Sequence, residues 1–102
     1  MDHKVILTPP AIEDLRKIVE YISQDNPARA FSFGEVLLDR ALDLGKRPDA
    51  GRTVPEIGDP SVREVIHRPY RIIYKVHAQI HIIYVVRFWH AARGEPDIPP
   101  KA

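Results

Sequence analysis

The sequence predicts an α+β domain in which a helical hairpin packs on a small sheet, and two observations support this class. Residues 62–93 hold three consecutive runs that alternate apolar and polar residues at period two, which is typical of strands. Residues 11–44 instead repeat apolar residues at helical spacing, with one break at Asp25-Asn26-Pro27. The predicted order is therefore an N-terminal strand, a helical hairpin and a three-stranded antiparallel meander, all within one domain over 1–102.

A strand and a helix begin the chain. The short apolar run from Lys4 to Leu7 predicts a strand, and Thr8-Pro9-Pro10 ends it and opens a helix. Thr8 is the candidate N-cap, because proline is tolerated in the first turn that follows it. Helical spacing then aligns an apolar stripe of Ala11, Leu15, Ile18 and Ile22.

A second helix follows after a short break, so the two helices are expected to form a hairpin. Asn26 is a good N-cap, and Pro27 suits the first helical position. The helix should end near Gly45, since glycine is a frequent helix stop. Its apolar stripe consists of Ala30, Phe33, Leu37, Ala41 and Leu44.

The meander is predicted after a loop at 46–61 that is rich in Pro, Gly and Asp. Strands are expected over 62–68, 70–77 and 80–88, followed by an irregular Pro-rich tail over 94–102. The second strand should present Tyr70, Ile72, Tyr74 and Val76 on one face and Arg71, Ile73 and Lys75 on the other. The third should present Ile80, Ile82, Tyr84, Val86 and Phe88 opposite His81, Ile83, Val85 and Arg87. Both faces of this third strand are largely apolar, so it is expected inside the sheet.

Composition excludes several classes of function. The chain has no cysteine, which rules out disulfides, thiolate metal sites and cysteine nucleophiles. Its start lacks the pattern of a secretory signal, and no apolar run reaches membrane-spanning length. We therefore expect a cytoplasmic protein with no membrane partner.

Charge is distributed unevenly along the chain. Residues 1–60 hold 8 Lys and Arg against 11 Asp and Glu, whereas residues 61–102 hold 7 against 3. The first part is thus about −3 and the second about +4, although the formal net charge is +1. This asymmetry indicates an acidic or polyanionic partner that approaches the C-terminal part.

Histidine and aromatic residues leave alternatives open. His77 and His81 flank a predicted turn without a third metal ligand nearby, so neither a metal nor a cofactor is expected. The tyrosines of the strands suit either core packing or base stacking, and their alternation with Ile and Val favours the core. Trp89 either caps the core or is an exposed anchor for a partner.

The ordered set of these motifs resembles the RelE/ParE superfamily of toxins from type II toxin–antitoxin modules, and is closest to the ParE type. The first helix is similar at Pro9-Pro10-Ala11, Asp14-Leu15, Ile18 and Tyr21-Ile22, and the central loop at Pro48, Gly51 and Arg52. The most specific part is Arg63-Glu64 followed by Tyr70-Arg71-Ile72-Ile73-Tyr74. The ending Arg87-Phe88-Trp89-His90-Ala91-Ala92-Arg93 resembles that of ParE-type members.

The resemblance implies a toxin, but the superfamily contains two activities. RelE-type members cleave mRNA on the ribosome without a metal, whereas ParE-type members poison DNA gyrase. Arg93 stands where a RelE-type catalytic tyrosine would be expected, and the strand from Val62 carries no lysine. These departures favour a ParE-like gyrase inhibitor that stabilises a plasmid, is neutralised by a cognate antitoxin, and contacts operator DNA only through that antitoxin. The alternatives are a RelE-type ribosome-dependent mRNA endonuclease and a non-toxic corepressor that acts with its antitoxin.

The resemblance also nominates site residues. A nuclease would use Arg71 and Arg87 as cations on the phosphate and His90 as acid or base. In either activity, the residues expected to bind a partner are Arg63, Arg71, Arg87, Trp89, His90 and Arg93. Arg71 and Arg87 are predicted to lie on neighbouring strands and on one side of the sheet, if the hairpin keeps its register.

Overall fold

The computed structural model describes residues 2–98 and contains two helices on one face of a mixed five-stranded sheet. The elements are β1 (Lys4–Leu7), α1 (Pro9–Ser23), α2 (Pro27–Asp43), β2 (Arg52–Thr53), β3 (Val62–His67), β4 (Tyr70–His77) and β5 (Ile82–His90). Short 3-10 turns follow β4 at Ala78–Ile80 and β5 at Ala91–Arg93. Neither helix among these residues is long and apolar enough to cross a membrane.

The sheet order is β1-β5-β4-β3-β2, which confirms the predicted strand, hairpin and meander. β1 runs parallel to β5, and the other pairs are antiparallel. β5 therefore has a neighbour on each side, as its two apolar faces predicted. The sequence did not predict β2, because a two-residue strand is too short to show any periodicity; it pairs Arg52 with Glu64 and Thr53 with Arg63.

The first core lies between the helices and the sheet. Both predicted helical stripes contribute to it, together with one face of β4 and β5. Its buried members are Ala11, Ile18, Leu37, Ala41, Leu44, Ile72, Tyr74, Ile83, Val85 and Phe88. Burial of this apolar area drives the hairpin onto the sheet.

A second, smaller core lies on the opposite face of the sheet. It consists of Val54, Val62, Ile73, Val86 and Trp89, with Tyr84 and Ile98 packed against it. Trp89 is only 3% exposed, so the structure favours the core interpretation of this residue. The loop after β2 and the chain after β5 supply Val54 and Ile98, so the face opposite the helices is partly covered.

A register shift in the β4–β5 pair corrects the predicted faces of β5. Ile73 pairs with Arg87 and Tyr74 pairs with Val85, so Val86 has no partner and forms a bulge. Phe88 consequently joins the helix-side core, and Val86 joins the second core. The prediction that Phe88 shares a face with Tyr84 and Val86 was wrong, because strict alternation fails across a bulge.

Several predicted ends also shift. Ile80 belongs to a turn that closes with His81 in the left-handed region at φ 53°, so β5 begins at Ile82. Asn26 caps α2 as predicted, since its side chain accepts a hydrogen bond from Arg29 N–H. Thr8 occupies the N-cap position of α1 as predicted, but its side chain makes no capping hydrogen bond, because its hydroxyl donates to the Val85 carbonyl at 2.9 Å. Of the predicted tail, residues 94–98 are described, and residues 99–102 lie outside the described part of the chain.

Candidate functional site

Arg71 lies in a compact group of ion pairs on the face opposite the helices. Its Nε is 2.5 Å from Glu64 Oε1, and its two terminal nitrogens lie 2.9 and 2.8 Å from the two oxygens of Glu56. Arg52 binds the second Glu64 oxygen at 2.8 Å. The Glu64 side chain is fully buried, so these two cations are what compensates its charge.

This group is formally neutral and electrostatically tight. The hydrogen bond from Arg71 lowers the pKa of Glu56 from its ordinary 4.5 to about 2. In return, the Glu56 carboxylate raises the pKa of Arg71, and Glu64 adds to the effect. Two arginines and two glutamates leave no net charge here for an external anion.

Arg63 and Tyr74 fix the loop before β2. Arg63 Nη1 donates to the Gly51 carbonyl at 2.8 Å, while the Tyr74 hydroxyl donates to the Pro48 carbonyl and accepts from Gly51 N–H. Gly51 has no room for a side chain, since an added Cβ would lie 2.4 Å from the Glu64 carbonyl oxygen. Arg63 is therefore half-buried against backbone rather than extended into solvent.

Arg87 forms a second ion pair, with Asp14 of α1. Its Nε and Nη2 donate to the two carboxylate oxygens at 2.7 and 2.8 Å, and its Nη1 donates to the Asp97 carbonyl at 2.7 Å. Asp14 also accepts from Phe88 N–H at 3.1 Å. The Asp14 carboxylate raises the pKa of Arg87. Both side chains are nearly buried, at 13% and 9% exposure.

The strand register places Arg71 opposite Trp89 and Arg87 opposite Ile73. Directly paired residues share a face, so both arginines begin on the side of the sheet that faces away from the helices. Each guanidinium, however, binds carboxylates of other elements. Arg71 binds Glu64 on β3 and Glu56 in the loop between β2 and β3, whereas Arg87 binds Asp14 on α1. The two arginines therefore do not converge on one open anion site.

Trp89, His90 and Arg93 close the end of β5. The Arg93 guanidinium carbon lies 3.8 Å from the centre of the Trp89 ring, and that of Arg87 lies 4.8 Å from it. The Trp89 indole N–H donates to the Gly94 carbonyl at 3.2 Å. His90 Nδ1 accepts from Ala92 N–H at 3.0 Å, so the ring carries its proton on Nε2.

Beside this end of β5 is an open cleft of about 180 Å³ between α1 and the β4–β5 pair, which we call the α1 cleft. Its wall is aromatic: the Tyr70 ring meets the His90 ring edge-on, with 5.2 Å between centroids. Its rim carries Lys17 and Arg93. The residues that line it are Asp14, Lys17, Ile18, Tyr21, Tyr70, Phe88, His90 and Arg93.

The α1 cleft brings together two of the residues nominated from sequence, His90 and Arg93. The other four nominated residues form the structural contacts described above; they are Arg63, Arg71, Arg87 and Trp89. A role in partner binding stays a prediction for all six nominated residues. Sequence reasoning missed Lys17 and Tyr21, which lie off the apolar stripe of α1. Tyr21 could have been identified from the sequence, because it is a large aromatic residue outside that stripe. In the structure its side chain is 72% exposed.

Metal binding finds no support in the part of the chain that the structure describes. Among residues 2–98, no group of three or more His, Asp or Glu side chains is placed to hold an ion. The His3 and His81 rings lie 5.2 Å apart, but they form a pair without a third ligand.

Comparison with known proteins agrees with this architecture. Residues 5–94 match the family described as the ParE toxin of the type II toxin–antitoxin system parDE. A chromosomal ParDE toxin–antitoxin structure from P. aeruginosa superposes with a TM-score of 0.70 at 21% identity, covering 86% of this chain and 95% of that chain. The RelBE2 toxin–antitoxin complex of Mycobacterium tuberculosis gives 0.67 at 20% identity, covering 88% and 99%. A mutant of the E. coli toxin RelE in the free state gives 0.65 at 17% identity, covering 92% and 88%. No curated protein sequence matches the chain.

Proposed function

Because this chain belongs to the ParE toxin family of type II toxin–antitoxin systems, we propose that it inhibits DNA gyrase and that a cognate antitoxin neutralises it. The toxin would act in the cytoplasm, where gyrase and its DNA are. It would need no metal or cofactor, since its action rests on protein–protein contact. Contact with operator DNA would come through the antitoxin.

Gyrase is favoured over mRNA as the target because Arg71 and Arg87 are both held in ion pairs. A metal-free nuclease needs cations that are free to stabilise the charge on a pentavalent phosphate. Here Arg71 is bound by Glu56 and Glu64, and Arg87 by Asp14. Releasing either arginine for a phosphate would leave a buried or nearly buried carboxylate without its partner, which is costly. This supports a toxin that acts by binding rather than by cleaving RNA.

The antitoxin is proposed because of the positive charge of the C-terminal part of this chain and because of the similar solved structures. Two of the similar structures are toxin–antitoxin systems, RelBE2 and ParDE. The C-terminal part of this chain carries an excess of about four positive charges, which would attract an acidic antitoxin segment and speed its association. A stable complex should bury more than about 1,000 Å² of surface and include apolar anchors.

Induction of the toxin in cells tests the proposed target. We expect DNA-damage signalling and filamentation, with total mRNA intact at early times, because a poisoned gyrase breaks DNA while translation continues. Primer extension on abundant transcripts, sampled together with a damage reporter, separates the activities. Early codon-specific cleavage of mRNA in cells whose plasmids keep normal supercoiling would instead support the RelE-type alternative.

Co-expression with the adjacent reading frame tests the proposed antitoxin. The two products should co-purify, and growth inhibition should disappear. High salt should weaken the association without abolishing it, since apolar anchors are insensitive to screening. Failure to co-purify even at low salt, with the toxin folded, would contradict the antitoxin proposal.

A further inference from the structure

The α1 cleft presents hydrogen-bond donors that are not engaged by carboxylates of the chain. Arg93 has no Asp or Glu oxygen within 4.0 Å among residues 2–98, and its guanidinium is fixed over the Trp89 ring. Lys17 is 68% exposed and reaches Glu13 only at 3.9 Å, while Glu13 is held more closely by Arg16, at 2.6 Å. The His90 ring adds Nε2–H as a third donor, because Nδ1 is already occupied by Ala92 N–H.

The one acidic residue that lines the α1 cleft is already neutralised. Asp14 accepts two hydrogen bonds from Arg87 and one from Phe88 N–H, which accounts for both of its oxygens. Its charge is thus balanced by Arg87, and among residues 2–98 neither Lys17 nor Arg93 forms an ion pair with it within 4.0 Å. The cleft consequently has an excess of positive charge at its rim, and its solvated donors can bind a charged acceptor supplied by a partner.

The wall and the size of the cleft restrict the ligand further. Tyr70 packs edge-on against His90, and its ring also lies tilted against Phe33 with 5.8 Å between centroids, so it is held in place. Burial raises the pKa of the Tyr70 hydroxyl, which remains a neutral donor. The volume of about 180 Å³ is below the roughly 300 Å³ at which pockets for whole small molecules begin. It suits one side chain better than a complete nucleotide.

We propose that the α1 cleft is a recognition site for the carboxylate of a glutamate or aspartate in a protein partner, with an apolar or aromatic neighbour of that residue packed on Tyr70 and Tyr21. Lys17, Arg93 and His90 Nε2 donate to the carboxylate beside the aromatic wall of the open cleft. Because Arg93 is fixed by stacking on Trp89, it loses little side-chain entropy when it binds. This inference goes beyond the proposed function, since it holds whichever protein supplies the acidic residue.

Paired peptides test the site directly on the full chain. The probes are acetyl-Glu-Phe-amide and acetyl-Gln-Phe-amide, which differ only in the carboxylate, followed by NMR through the Arg93 Nε–H and Trp89 indole N–H signals. The Glu peptide should shift both signals saturably. The Gln peptide should bind at least about fivefold more weakly, because it lacks charge-assisted hydrogen bonds.

Three variants locate the site. Lys17→Gln, at an exposed helical position that should not affect folding, and Arg93→Gln should each weaken the Glu peptide. Lys46→Gln, which removes an exposed charge elsewhere, should leave binding unchanged. Equal binding of the two peptides, no saturable shift up to their solubility limit, or insensitivity to Lys17→Gln would overturn the proposal.

Two further probes distinguish other ligands. Inorganic phosphate alone should shift the same signals weakly, and uridine 5′-monophosphate should bind no better than the Glu peptide. Tighter binding of the nucleotide would mean that the cleft receives RNA. Full binding by phosphate alone would mean a simple anion site. Either result would contradict recognition of an acidic peptide.

Discussion

Asp14 and Arg87 are 73 residues apart in sequence and form a two-point ion pair at 2.7 and 2.8 Å. The pair ties α1 to the second half of β5. β1 pairs with β5 only as far as Leu7 and Val85, so the later residues of β5 lack a strand on that edge. Asp14 replaces the missing strand by accepting Phe88 N–H. The Asp14 carboxylate thus accepts hydrogen bonds from both the nearly buried Arg87 guanidinium and the Phe88 N–H at the edge of the sheet.

Replacing Asp14 by Ala should destabilise the fold substantially. It would leave the Arg87 charge and the Phe88 N–H without their acceptor, and breaking a buried pair in this way costs about 3–5 kcal/mol. Urea unfolding at neutral pH measures the change. Glu13→Ala is the matched control on the same helix, because the Glu13 side chain is 47% exposed, and it should cause little change. Equal effects of the two substitutions would show that the Asp14–Arg87 pair contributes nothing of its own.

The Glu56–Arg71 pair should make stability depend on pH in the acid range. The pKa of Glu56 in the folded chain, about 2, lies below its ordinary 4.5. The unfolded chain therefore takes up a proton first, and the stabilisation is present above about pH 4.5 and lost as the pH falls towards 2. Because the Glu56 side chain is 30% exposed, solvent screening limits the effect to about 1 kcal/mol.

Glu56→Gln isolates this contribution. Unfolding free energies of the two proteins should differ at pH 7 and converge as the pH is lowered below 4.5. A difference that stays constant across this range would mean that Glu56 acts through packing rather than through its charge.

Two glycines should respond differently to alanine. At Gly51 the added methyl would lie 2.4 Å from the Glu64 carbonyl oxygen and 2.6 Å from the Tyr74 hydroxyl, and neither can move without breaking the loop contacts. At Gly34 the single close atom is Val19 Cγ2, at 2.7 Å; because valine is stiff in a helix, relief needs a small shift of α1 against α2, whose cost is offset by the gain in helix propensity of about 1 kcal/mol from alanine. We expect Gly51→Ala to lower the thermal midpoint clearly and Gly34→Ala to change it little. The reverse order would contradict the packing described around Tyr74.

The elements that sequence predicted well are those with a long periodic signal. The helical stripes, the Asn26 cap and the face of β4 that carries Tyr74 all have repeated residues whose spacing specifies one geometry. β2 and the bulge at Val86 do not, because each involves one or two residues. The bulge matters most, since it moves Phe88 to the opposite core from the one that alternation predicts.

The candidate site was harder to predict because its partners are distant in sequence. Arg71 and Arg87 were nominated as cations, but their counterions Glu56, Glu64 and Asp14 come from other elements and become neighbours only in the fold. Likewise, His90 and Arg93 were nominated without Lys17, which reaches the same cleft from α1. Spacing along the chain carries no information on such pairs.

A supercoiling assay with purified gyrase, relaxed plasmid DNA and the purified toxin tests gyrase inhibition directly. We predict that the toxin blocks supercoiling in proportion to its concentration and accumulates cleaved DNA, and that the folded protein leaves mRNA intact on purified translating ribosomes. Undiminished supercoiling at a large excess of folded toxin, together with cut mRNA on the ribosomes, would show that the toxin cleaves mRNA and does not inhibit gyrase.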